Sequence, residues 1–127
     1  MYSKRLTLSK KLRRRLRRAW LAGVAVLVVL SLLPGSSPAV AWASSVNDKL
    51  LHFAAYAALA LLAVLGADDR RAVVRSVLIM FVLGVALDFA QRFIPGRGFE
   101  LGDILADNLG LLCGAFFALR LLHFPCA

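Results

Sequence analysis

Four apolar runs, separated by short polar turns, constrain this chain more than any other feature. They are Ala19–Pro34, Leu50–Ala67, Val73–Phe93 and Asp103–Leu122. Three of them approach the ~20 residues an α-helix needs to cross a hydrocarbon core ~30 Å thick. The first is shorter, and as far as Leu33 it gives ~22 Å of helix. The 127 residues are 61% hydrophobic with mean hydropathy +0.77, more apolar surface than a soluble domain of this size can bury. No period-two alternation of apolar and polar residues runs through the chain, which argues against a β-barrel. The expected fold is all-α. It is a polytopic membrane protein, a compact bundle of four transmembrane helices within residues 19–127, preceded by a basic tail over 1–18.

Charge sets the expected orientation. The net charge is +9, and nine of the sixteen Lys and Arg lie between Ser3 and Arg18, directly before an apolar run. With only Tyr2 and Trp20 as nearby aromatics, that segment reads as a cytoplasmic flank and not as a nucleic-acid surface. The expected partner is the lipid bilayer, with attraction to anionic lipid as a corollary. The tail together with Arg70, Arg71, Arg75 and Arg120 places thirteen bases on one side, against Lys49, Arg92 and Arg97 on the other. Both termini are therefore expected in the cytoplasm. Trp20 and Trp42 would mark the two interfaces of the first helix. A competing reading makes the first run a secretory signal, cleaved after Ala41–Ala43. The two cysteines, Cys113 and Cys126, are ~20 Å apart along helical rise and form no expected disulfide. Neither has partners at metal spacing, so no metal or cofactor is expected.

The stretch "VALDFAQRFIPGRGFELGDILADNLG", Val85–Gly110, concentrates six charged side chains in this apolar chain. Three polar sets that are distant in sequence fall at the outer ends of helices. Asp48, His52 and Tyr56, at i, i+4 and i+8, share a face, with Lys49 beside them. Asp88 and Gln91 share another, with Gly84 one turn further in. Asp103 and Asp107 open the last helix, where the dipole favours acids. Gly110 and Gly114 continue that stripe at GxxxG spacing, which permits close helix packing. Charges at such depth are costly unless they face the bundle interior and find partners. The acids are therefore expected to meet one another in one outer-leaflet cluster. His52, Lys49 and Arg97 are its counter-charges, and Arg97 pairs with acids across the last helix hairpin.

"DKLLHFAAYAAL", Asp48–Leu59, resembles the DK-x-x-H-F-x-x-Y signature of the VanZ-like membrane proteins. "LDFAQRFIPGRGFELGDILADNLGLLCG", Leu87–Gly114, resembles their E-x-x-Q-x-F-x-P-G-R-x-F-x-x-x-D-x-x-A-N-x-x-G-x-x-x-G block. Asp48, Lys49, His52, Tyr56, Gln91, Arg97, Asp103, Gly110 and Gly114 occupy matching positions. Two positions depart: Asp88 stands where the motif has Glu, and Asp107 where it has Asn. The resemblance implies a bacterial inner-membrane protein that acts on the cell envelope, with a link to teicoplanin-type glycopeptide resistance.

Two functions follow as expectations. The favoured one is a non-enzymatic protein whose outer-leaflet cluster binds or modulates a lipid-linked envelope component. The alternative is a membrane-embedded enzyme acting on a lipid-linked substrate, with His52 and Asp88 as its acid/base pair. Apart from Cys113, well inside the last run, these blocks offer no Ser or Cys nucleophile, so water or a substrate hydroxyl would have to attack.

Overall fold

The computed structural model describes residues 7–45, 47–98 and 100–122, without the side chains of 43–45 and 48. Asp48 is thus placed by its backbone alone, and Cys126 lies outside the described residues. The described elements are all helical: α1 (Lys10–Leu32), α2 (Pro38–Ser45), α3 (Asp48–Leu65), α4 (Arg70–Ala90), a 3-10 turn (Gln91–Phe93) and α5 (Leu101–Leu121).

Local chemistry sets the boundaries. The Ser9 side chain accepts from Leu12 N at 3.2 Å and starts α1 nine residues before the apolar run. Part of the basic segment is therefore helix, as befits Lys, Arg and Leu, all good helix formers. Asn47 caps α3 by accepting from Leu50 N, and Asp69 caps α4 by accepting from Ala72 N. Pro38 opens α2, an element the sequence reading passes over. After Ala90 the chain tightens into the 3-10 turn, and Pro95 and Gly96, the latter at φ +77°, turn it toward α5.

Helices α3 and α5 form the closest pair. A Cβ on Gly110 would run into the carbonyl of Phe53, and one on Gly114 into that of Ala57. The two backbones touch there, as small residues allow. The core between the helices is built of small and medium side chains, among them Ala60, Ala63, Val64, Met80, Leu111 and Ala118. Trp20 is buried in this core against α3 and does not sit as a free interface marker.

Large apolar side chains point outward along α4 and α5, including Val82, Phe89, Leu112, Phe116 and Phe117, whereas Asp88, Gln91, Asp103 and Asp107 are buried. This inside-out pattern suits hydrocarbon and not water. Residues Arg70–Phe93 and Leu101–Leu121 are each long and apolar enough to cross a membrane. The apolar part of α3, Lys49–Leu65, is shorter.

Two polar ends bracket the bundle. At one end, Arg17 donates to Asp68 at 2.6 Å and to the Gly66 carbonyl at 3.1 Å, with Arg13 nearby. At the other end lie the close of α1, α2, the start of α3, the close of α4 and the start of α5. The basic end of α1 and the α3–α4 turn thus share one end, matching the grouping by charge. Arg17 holds the Asp68 carboxyl below the usual carboxylate range, mainly through the hydrogen bond. A lowered pKa means stabilisation that is present above the unfolded value and lost as pH falls through the folded one. Because Asp68 is well exposed, Asp68→Asn should cost only about 0–1 kcal/mol at neutral pH, read by detergent-phase thermal unfolding. Wild type and variant should converge in acid.

Candidate functional site

The site lies at the end of the bundle opposite Arg17 and Asp68, and each helix there supplies part of it. His52 sits one turn inside α3, and Tyr56 one turn deeper on the same face. Asp88 comes from the last turns of α4, Gln91 from the 3-10 turn, and Asp103 and Asp107 from the first turns of α5.

His52 Nδ1 lies 2.6 Å from Asp107 Oδ1. This contact joins α3 to α5 directly above the Gly110 and Gly114 packing, and the missing glycine side chains let it close. Asp88 approaches from α4: one donor atom from each of His52, Asp88 and Asp107 lies within 4.8 Å of the other two. Asp88 and Asp107 are 4% and 3% exposed, and Oδ2 of each is buried and accepts from no N–H among the described residues. Gly84 makes room for Tyr56, whose hydroxyl would stand 3.0 Å from a Cβ placed there.

The remaining acids, buried Asp103 and exposed Glu100, gather around Lys49. Lys49 Nζ reaches Glu100 Oε2 at 2.6 Å and Asp103 Oδ1 at 3.6 Å, the second an ion pair and not a hydrogen bond. Lys49 holds the exposed Glu100 carboxyl below its usual range, mainly by hydrogen bonding. Lys49 packs over Gly102, where a Cβ would meet its Cε.

Arg97 is not the counter-charge the sequence reading expects. Among the described residues no acid forms an ion pair with it. Its Nε donates to the Leu33 carbonyl at 3.2 Å and its terminal nitrogen to the Leu30 carbonyl at 2.5 Å. Gln91 donates to the Ser31 carbonyl at 3.2 Å. The closing carbonyls of a helix lack internal partners and carry the negative end of its dipole, so a forked cation docks on them readily. Gly35 N donates to the Pro95 carbonyl at 2.8 Å, completing a clasp between the end of α1 and the α4–α5 loop. His52 makes its 2.6 Å hydrogen bond with Asp107, and Asp88, the acid expected to pair with it, offers an atom within 4.8 Å. Asp88 turns inward while Arg92, four residues on, is exposed and lies over the Phe89 ring at 5.4 Å.

A cavity of about 340 Å³ opens beside this cluster. One wall is polar: His52, Tyr56, Asp88, Gln91 and Arg97. The other is apolar and comes from α1 and α2, with Leu27, Leu30, Val40 and Trp42. Hydropathy marks α1 only as a plain span and does not reveal this second wall. The signal available was Pro38 opening a short helix that carries Trp42, directly before the His52 signature.

The chain matches the VanZ/LLP1 family over residues 6–123, nearly its whole length, and belongs to that family. It is 33% identical over 111 residues to the uncharacterized protein C11E3.10 of Schizosaccharomyces pombe, an alignment covering 85% of this chain. The aligned region spans 66% of that relative. No solved structure matches.

Proposed function

We propose, from VanZ/LLP1 membership as premise, that this protein is a four-pass membrane protein that holds an amphiphile at the outer leaflet without turning it over. The cavity with one polar and one apolar wall carries this reading. Its volume suits a head group and the first part of an acyl chain, and binding cavities combine an apolar lining with a few placed polar groups. The charge asymmetry supports both termini inside, which puts the cavity outside, as in a bacterial inner membrane. A lipid-linked envelope component has the required two-sided chemistry. A lipid-tailed glycopeptide of the teicoplanin class has it too, and that link rests on the family resemblance alone.

Ala55 lines the cavity without belonging to the polar set. Ala55→Phe should fill part of the space and strip the co-purifying amphiphile while leaving the fold intact. Mass spectrometry of lipid extracts from the purified protein would read this. Identical lipid profiles for wild type and variant would count against the cavity as a binding site.

The 2.6 Å contact between His52 and Asp107 favours a second reading. A carboxylate that fixes the imidazole ring is how a general base is oriented, and Nε2 would then act on water or on a substrate hydroxyl. Chemically altered lipid, rather than retained lipid, after incubation with the protein would favour it.

A further inference from the structure

We propose that His52, Asp88 and Asp107 form a binding site for one divalent metal ion of the borderline class, such as Zn²⁺ or Mn²⁺. Three donors from three different helices converge, with one atom of each within 4.8 Å of the others. Oxygen and nitrogen donors around a tetrahedral ion with bonds of ~2.1 Å lie ~3.4 Å apart, so small side-chain rotations close the set.

The second observation is independent of that convergence. Asp88 Oδ2 and Asp107 Oδ2 are both buried and accept from no N–H among the described residues, so without an ion the two carboxyls are left to share a proton with each other. A buried carboxylate oxygen with no donor is expensive. Nearby cations do not relieve it: Arg97 is committed to carbonyls of α1, and Lys49 reaches Glu100 and Asp103. A divalent ion beside two carboxylates and a neutral imidazole makes the set electrically neutral and gives both oxygens a partner.

The donor types narrow the ion. One imidazole and two carboxylates, with no thiolate, suit Zn²⁺, Mn²⁺ or Fe²⁺ better than soft Cu⁺. Ca²⁺ and Mg²⁺ favour all-oxygen shells, and Ca²⁺ takes more ligands than three side chains provide. The cavity adjoins His52 and Asp88, so positions not taken by protein would face it, as in open sites that keep room for a further ligand. The ion site stands whether or not an amphiphile occupies the cavity.

The test uses the full chain, purified in detergent, stripped with chelator and dialysed. Mn²⁺ is titrated and followed by electron paramagnetic resonance, with Zn²⁺ as competitor, and bound metal is counted by elemental analysis. One Mn²⁺ per chain, displaced by Zn²⁺, is expected. Asp107→Asn and Asp88→Asn should each weaken binding by at least about tenfold, whereas Asp68→Asn, at the opposite end of the bundle, should leave it unchanged. Asn is the residue the family motif carries at position 107, so Asp107→Asn should fold. Two results overturn the proposal: no saturable binding of either ion by the wild-type chain, or wild-type binding by a folded Asp107→Asn protein.

Discussion

Gly114→Val should prevent accumulation of folded protein, and Gly110→Val should do nearly the same. At each position even the first carbon of a side chain meets a backbone carbonyl of α3, of Ala57 and Phe53 respectively. Backbone cannot swing aside as a side-chain end can, so α3 and α5 must separate along their length. Alanine alone should show the effect. On helix propensity Gly→Ala gains about 1 kcal/mol, yet overpacking costs about 1–3 kcal/mol or more, and here the obstacle is rigid. The net sign is therefore destabilising. Separating α3 from α5 would also break the contact of His52 with Asp107, so ligand binding should fall with the fold. Gly98 is the control, because a Cβ there meets nothing within 4 Å and Gly98→Ala should behave as wild type. Fluorescence-detected size-exclusion profiles and thermal unfolding in detergent would read all of these variants. A monodisperse Gly114→Val protein of wild-type stability would show that the α3–α5 contact is not what holds the bundle.

Much of this arrangement was legible in the sequence because helical period is a strong constraint. Asp103, Asp107, Gly110 and Gly114 fall on one stripe at spacings of four, and a stripe of acids leading into glycines can face only another helix. The same logic put His52 and Tyr56 on one face of α3, and the structure brings His52 to Asp107. Apolar runs located α3, α4 and α5 to within a few residues. The start of α1 was less legible because charge masked it: a run of Lys and Arg reads as a tail, yet those residues are good helix formers once Ser9 caps them.

Partner choice was the illegible part. Period fixes which residues share a face of one helix but not which faces meet, and long side chains choose among several acceptors. By sequence Asp88 could meet His52 or Arg97 from elsewhere, or Arg92 four residues on along its own helix. The inward turn of α4 removes Arg92, which ends exposed. The end of α1 takes Arg97 by offering carbonyls that no sequence pattern marks as acceptors. The counting of charges against charges therefore failed at the residue where the backbone was the counter-charge. The proposed use of His52, Asp88 and Asp107 as metal donors has no spacing signature for a related reason: one donor comes from each of three helices.

Arg97→Ala should lower the amount of folded protein and free the end of α1 from the bundle. Removing the guanidinium deletes two hydrogen bonds, to Leu30 and Leu33 carbonyls, and leaves both acceptors unmatched near an apolar cavity wall. Hydrogen bonds from a charged donor contribute about 1.5–3 kcal/mol each where water is scarce, and Arg97 is half-buried, so a loss of about 3 kcal/mol in total is expected. Arg97→Lys should recover only part of it, because a point-like ammonium cannot span two carbonyls as a fork does. Gln91→Leu removes one neutral bond, to Ser31, and should cost about 1 kcal/mol. The structural consequence is as diagnostic as the stability. Gly35 packs against Gly96 through the bond to Pro95, so a cysteine pair at positions flanking that contact should cross-link readily in wild type and poorly in Arg97→Ala. Because α1 supplies Leu27 and Leu30 to the apolar cavity wall, amphiphile retention should drop in the same variant. The metal donors lie on α3, α4 and α5, none of them on α1, so Mn²⁺ binding per folded chain should survive. Loss of the ion together with the amphiphile would mean that Arg97 acts on the acidic cluster after all, and that the clasp on α1 is not its main work.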